Sequence, residues 1–380
     1  MAPFKRPAVQ IRQGSLTLYL TYVTPQDLFS GDFYTVSELE PKSDEPGYQR
    51  ILNKTRARRL AKHLIEAHPA GYAHLPTTVF LATDSSVNFC SSSNVLEFDT
   101  DEVGPFSVVD GQHRIDGLRR ACKDRLDLLD FRLPVTLATD LDAVHQMYHF
   151  FIVNTTQVPV DPSLRQQITR RFTDMRDVEK LPYLPYWLER ETAAGKDARA
   201  LRIAESLNEA TGSPLRDRIQ MANDPVGRNK IKQASIVNLF KKELLTPANP
   251  IAVQETDVER QSKITLNFFK AVDRLLVDGR DRAKTVVYKS NGLFFCLGVS
   301  KWIFSAIYSS TRDFTVESIC QLLQKGFEEL DDEHRVVASP DWWMPGPRGA
   351  SGLNRSTARA YVDSFQRALA RANQSDEIQL

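Results

Sequence analysis

The chain has 380 residues, 42% of them apolar and 26% charged, with a net charge of +1. That is enough for one large or two ordinary domains with a real core, and the balanced charge excludes a global basic field, so any nucleic-acid contact must be a local patch. No apolar run approaches the ~20 residues of a membrane span, Met1 to Arg12 lacks the apolar centre of a signal peptide, and Cys90, Cys122, Cys296 and Cys320 are too scattered for a disulfide framework or a metal motif, so a reduced cytoplasm without membrane attachment is expected. In chain order, Leu16, Leu18, Leu20 and Tyr22 alternate with Thr17, Tyr19 and Thr21, the pattern of a half-buried strand. Residues 30–48 are rich in turn formers and read as a loop. Thr55 is expected to cap a helix whose apolar face is Leu60, Ala61, Leu64 and Ile65. Arg50, Lys54, Arg56, Arg58, Arg59 and Lys62 make the start and outer face of that helix positive, either as a solvated surface or as a contact for an anion. Thr77 to Thr83 reads as a strand, Ser85 to Asn94 as a polar loop and Val95 to Phe98 as a short strand.

The densest chemistry follows. Phe106 to Val109 reads as a strand, and Ile115, Leu118, Ala121 and Cys122 have helical spacing. Between them stand Asp110, Gly111, Gln112, His113 and Arg114 with no spacer. Polar groups crowded at a buried strand end must be desolvated and paired. A helix starting near Gly111–Gln112 leaves free amide donors at its positive end, which favour an anion. Gly111 lets backbone approach closely, Arg114 offers a fork for phosphate oxygens, and Gly117 would seat the helix tightly on the sheet. One reading is a phosphate-binding turn in which Asp110 and His113 act on the bound group or its metal. The other is a helix cap at Asp110 with His113 and Arg114 in a structural network.

Leu133 to Ala138 is a further strand, and Asp142 to Ile152 a helix with Val144, Met147, Tyr148, Phe151 and Ile152 on one side. His145 and His149 lie four apart there, but no third ligand has metal spacing and Gln146 stands where a zincin needs glutamate, so no metal site is assigned. Asn154, Thr155, Thr156 and Gln157 end the helix either as a cap before Pro159 or as groups recognising base, ribose or phosphate. Strands and helices interleave to this point, which gives an α+β layer fold. Pro159 to Pro162 reads as a boundary, dividing residues 1–160 from a mainly helical domain of residues 161–380 with helices near 164–172, 198–210, 231–244, 264–276, 293–307, 316–330 and 357–370. Residues 212–242 carry a local basic bias, and Arg228, Lys230 and Lys232 could face a DNA backbone or simply solvent. Trp342-Trp343 read as core anchors in preference to a stacking platform.

Asp110 to Arg114 spells the motif of the DGQHR-domain proteins. Tyr48-Gln49-Arg50 with Asn53-Lys54-Thr55-Arg56 resembles the family's upstream segment, and Phe150-Phe151-Ile152-Val153-Asn154-Thr155-Thr156-Gln157 its downstream one. The resemblance spans roughly residues 48–160. The family is similar to the ParB/sulfiredoxin superfamily, which implies a mixed sheet with helices and a turn that binds nucleotide phosphates. Its members include DndB of DNA phosphorothioation clusters and DpdB of 7-deazaguanine DNA-modification clusters, the latter associated with ATPase activity. The Val153–Gln157 segment looks closer to the DpdB-like branch.

That resemblance implies an ATP-hydrolysing component of a bacterial DNA-modification system, with ATP, with or without Mg2+, as cofactor and DNA and a transglycosylase-like enzyme as partners. Asp110 would orient metal or water, His113 would serve as acid/base or phosphate donor, and Arg114 would hold phosphate. Gln49, Arg50, Gly111, Gln112, Asn154, Thr155, Thr156 and Gln157 would bind the nucleotide, and a base exchange on duplex DNA, requiring an extruded base, would fall to the partner. The alternative is a DndB-like DNA-binding regulator with nucleotide as a switch. Metal-assisted nicking at the same motif is disfavoured, because no set of acidic ligands surrounds it.

Overall fold

The computed structural model describes residues 3–40, 47–157, 161–175, 184–224, 227, 230–346 and 349–374, without the side chains of 155–157 and 374. The described chain divides by contacts into a first unit that runs to Ile168 and a second that takes Thr169 onward and everything from Pro185. The α+β class expected from the sequence is what is found.

In the first unit, β1 (Phe4–Pro7), β2 (Val9–Gln13) and β3 (Leu16–Val23) are followed by a short helix, α1 (Pro25–Phe29), started by a Thr24–Asp27 capping box. Then come β4 (Tyr34–Thr35), α2 (Lys54–Ala67), β5 (Val79–Ala82), β6 (Asn88–Cys90), β7 (Val95–Phe98), α3 (Thr100–Val103), β8 (Phe106–Asp110), α4 (Gln112–Asp124), β9 (Leu133–Ala138) and α5 (Ala143–Gln157). Six strands form a mixed sheet in the order β2-β3-β9-β5-β8-β4, and β1-β7-β6 form a second, antiparallel sheet. The β5–β9 and β4–β8 pairs are parallel, whereas β8 runs antiparallel to β5 with a register shift at Phe80/Leu81. One apolar cluster joins Val79, Leu81, Val108, Val135 and Leu137 of the sheet to Ala61 and Leu64 of α2 and to Ile115 and Leu118 of α4. Phe4, Phe33, Phe98 and Phe106 form an aromatic group there, with centroid separations of 4.6 to 6.0 Å.

Three sequence expectations are corrected here. The loop expected over 85–94 contains β6. Asn53, not Thr55, caps α2: its side chain accepts from the amides of Thr55 and Arg56, each at 3.1 Å. Gly117 serves helix–helix packing, because a Cβ there would lie 2.9 Å from Leu60 Cδ2 on α2.

α6 (Pro162–Met175) carries the chain into the second unit. That unit holds α7 (Tyr186–Ala194), α8 (Lys196–Glu209), the parallel pair β10 (Ile219–Gln220) and β11 (Ile231–Lys232), α9 (Gln233–Leu239), α10 (Pro250–Gln254), α11 (Val258–Val272), α12 (Ser290–Ser309), α13 (Val316–Glu328) and α14 (Arg355–Gln374). α9 and α11 run on into π-helical turns at Phe240–Leu244 and Asp273–Val277. α12 is the one described helix long and apolar enough to cross a membrane, but most of it is buried inside this unit, where Phe295 meets Trp343 and Phe304 meets Phe268. Trp343 is fully buried and its indole N–H donates to the Val337 carbonyl at 2.8 Å, as a core anchor should. The sequence-based helix from Ile231 starts two residues late, since Ile231 and Lys232 pair with β10 instead.

Candidate functional site

β8 delivers Asp110 to the edge of the first unit's core, and the chain turns into α4 through Gly111. Gly111 has φ +109°, and a Cβ there would lie 2.8 Å from Val79 Cγ2, so glycine is required both for the backbone conformation and for the close approach to β5. α4 has no side-chain cap, because its N-cap residue is Gly111; Asp110, one residue earlier, has its Oδ2 accepting from Arg114 Nη2 at 2.6 Å. Arg114 Nη1 donates to the carbonyl and hydroxyl of Thr77, both at 2.9 Å, and to the Thr78 carbonyl at 2.5 Å. One guanidinium therefore clips the first turn of α4 to the end of β8 and the entry of β5. The Arg114 side chain is 18% exposed, so these bonds sit in partly excluded water.

His113 and Gln112 join the starts of two helices. The Asn53 amide donates to His113 Nε2 at 3.1 Å, and Gln112 Nε2 donates to the Arg50 carbonyl at 3.2 Å. His113 must be neutral to accept at Nε2. Burial, then the Arg50 and Arg56 charges, hold its pKa below the usual histidine value, against the smaller opposing effect of Asp110 and Asp116. Gln112 Oε1 is buried without a hydrogen-bond partner among the described residues. Gln49 is buried, and its main chain bonds to Ser37 and Leu39, which fixes the loop that presents Arg50.

The surface beside this node is basic. Arg50, Lys54, Arg56, Arg58 and Arg59 are exposed, and no ion-pair partner is found for them among the described residues. α2 has no acidic residue in its first turn, so Lys54 and Arg56 add to the positive end of the helix dipole instead of offsetting it. Such a corner is unfavourable alone and favourable beside an anion.

The remaining sequence candidates are not gathered here. Asn154 lies inside α5, its Nδ2 donating to the Phe150 carbonyl at 2.8 Å, so the helix continues where an end was expected. The side chains of Thr155, Thr156 and Gln157, and the whole of Arg228, lie outside the described residues. Lys230 and Lys232 are exposed in the second unit. His145 binds Asp142 at 2.7 Å, while the His149 ring faces Phe80 and Tyr148. Sequence reasoning missed Asn53, Thr77 and Thr78, the partners that hold the motif. The Asn-Lys-Thr-Arg run did carry the cap signal for Asn53.

The phosphate grip implied by the resemblance needs free donors at the motif. Arg114 and Asp110 are already joined, Arg114 is further engaged by Thr77 and Thr78, His113 Nε2 acts as an acceptor, and the open valence on Gln112 is an acceptor too. Phosphate oxygens need donors. The ionic side chains Asp110 and Arg114 are thus engaged with each other and with the entry of β5, and the donors left for an anion are His113 Nδ1–H, the uncapped leading amides of α4 and the basic corner.

Residues 6–177 match the family model DndB, described as DNA-sulfur modification-associated. The match covers somewhat under half of the chain and makes its N-terminal part similar to proteins associated with DNA modification. It falls on DndB, the alternative of the sequence reading, and not on the DpdB-like branch expected from Val153–Gln157. No curated protein and no solved structure matches.

Proposed function

We propose that this protein is a DNA-binding regulatory component of a DNA-sulfur modification system, DndB-like, which meets DNA phosphates through the start and outer face of α2. The observation that carries the reading is the family match over residues 6–177. The geometry supports binding over chemistry: Asp110 and Arg114 hold α4, β8 and the entry of β5 together, the neutral Gln112 and His113 hold the start of α2, and the uncompensated cations Arg50, Lys54 and Arg56 stand beside them. Cations neutralising phosphates give sequence-independent affinity and fix the register, and base contacts would supply the choice of site.

The test is selection of sheared genomic DNA from the source organism by the purified full chain, followed by sequencing, with nucleotide turnover measured on the same preparation. Enrichment of fragments upstream of the modification genes is expected, with no turnover that depends on the motif. Unselective recovery of fragments, or ATP hydrolysis abolished by both Asp110→Ala and His113→Ala in variants that still melt cooperatively, would overturn the proposal and restore the ATPase reading.

A further inference from the structure

The second unit contains a half-open cavity of about 300 Å3, near the lower end of the range for small-ligand sites. Arg218, Lys230, Lys232 and Lys289 line it, together with Ser235, Tyr288 and Ser290, and no carboxylate is in the lining among the described residues. In a chain with net charge +1, four cations around one cavity is a strong local departure.

Three features make the departure a built one. β11 and its parallel pairing with β10 place Lys232 beside the element that carries Arg218, since the Ile231 amide donates to the Arg218 carbonyl at 2.8 Å. Arg218 is half-buried, its guanidinium 5.3 Å above the Tyr288 ring, and it has no hydrogen-bonded acceptor among the described residues. The nearby carboxylates are occupied: Asp273 accepts from Arg282 Nε and from the Tyr288 hydroxyl, both at 2.8 Å, and Asp281 accepts from the Ala283 amide at 2.8 Å. Burial also pulls the Arg218 pKa down, against the opposing influence of Tyr288, Asp281 and Asp273. Finally, α12 begins at this wall: Lys289 is its N-cap without a side-chain cap, Ser290 is its first residue, and its first turn has no acidic side chain. Its leading amides and dipole therefore add to the positive field.

We propose that this cavity binds a phosphate ester, the chemistry shared by a nucleic-acid backbone and a free nucleotide. Arg218 supplies the planar fork and Lys230, Lys232 and Lys289 the surrounding charge. Tyr288 is 1% exposed and covered by Arg218, so it offers no open ring face for a base. Recognition is of phosphate and not of base identity. The site is independent of the α2 surface in the N-terminal unit, and its failure would leave the regulatory reading in place.

The test uses the full chain and two double variants of equal charge: Lys232→Ala with Lys289→Ala at the cavity, and Lys263→Ala with Lys325→Ala at exposed positions elsewhere in the same unit. Binding of a fluorescent 20-mer duplex, of ATP and of inorganic phosphate is measured for each. Loss of two charge-assisted contacts should weaken at least one of these probes about tenfold or more in the cavity variant and leave the control near wild type. If the duplex is the affected probe, the source is the nucleic-acid backbone. If ATP or phosphate alone is affected, the source is a free ester, and if the wild type then fails to hold duplex, the regulatory reading falls while this site stands. Equal effects in the two double variants would overturn the proposal and leave the regulatory reading in place, and no binding of any probe by the wild type would overturn both.

Discussion

The guanidinium of Arg114 lies among four oxygen acceptors drawn from the end of β8 and the entry of β5. Arg114→Ala leaves the Asp110 carboxylate and the Thr77 and Thr78 carbonyls without that donor, so a loss of about 2–3 kcal/mol is expected in chemical denaturation. Arg114→Lys should recover only part, since an ammonium cannot reproduce the planar fork. A variant as stable as wild type would show that the clip contributes little. His113 gives a pH signature. Its folded-state pKa is depressed, so below the ordinary value of about 6.5 the unfolded chain binds the proton first, and stability present at neutral pH is lost as pH falls through the folded value. His113→Gln should therefore lose less melting temperature between pH 7.5 and pH 5.5 than wild type. His149, also depressed by burial, and the Cys90 thiol, lowered to about 7 by hydrogen bonds from Ser92 and Ser93, add acid sensitivity of the same sign that His113→Gln leaves in place. At this scale the sequence marked Asp110 to Arg114 as a polar node but not its partners: Asp110 was weighed as a helix cap, yet Arg114, one helical turn away at i+4, reaches it first. The partners Thr77 and Thr78 are more than thirty positions away, and only the β5–β8 pairing brings them near.

α2 and α4 approach closely because Gly117 faces Leu60. In Gly117→Ala the added methyl meets the Leu60 side chain at 2.9 Å, and the overpacking cost of about 1–3 kcal/mol should exceed the ~1 kcal/mol gained from alanine's helix propensity. Adding Leu60→Ala should relieve that clash, so the pair of substitutions is expected to be less harmful than the sum of the two alone, as read by a double-mutant cycle. Strict additivity would mean that the two side chains do not meet. The longer elements β3, β9, α4, α12 and α13 were legible because their periodicity is strong. The short ones were not. β4 has two residues, β6 has three inside a polar run, and β2 exposes Val9, so each is held by its neighbours in the sheet instead of by its own pattern. Ile231–Lys232 is the reverse case: a helix-compatible pair was drawn into strand pairing by Ile219–Gln220.

Over the whole molecule, a balanced composition conceals two local concentrations of positive charge, one at α2 in the first unit and one around Arg218 in the second. The first was visible as a run of cations with no acidic residue among them, but its lack of ion-pair partners among the described residues needed the fold. The second was visible only in part, through Arg218, Lys230 and Lys232 in the basic stretch 212–242, because Lys289 joins it from nearly sixty residues away. The mixed sheet of the N-terminal unit matches the expected α+β class, whereas the ParB/sulfiredoxin-like assignment stays a sequence resemblance, since no solved structure matches. The most direct measurement is the affinity of the full chain for duplex DNA as a function of salt, in wild type and in Lys54→Ala with Arg56→Ala. The expected result is a linear fall of log K with log salt concentration, with a slope smaller by about 2 in the variant because two phosphate contacts are lost. An unchanged slope, or no duplex binding at low salt, would contradict DNA contact through α2.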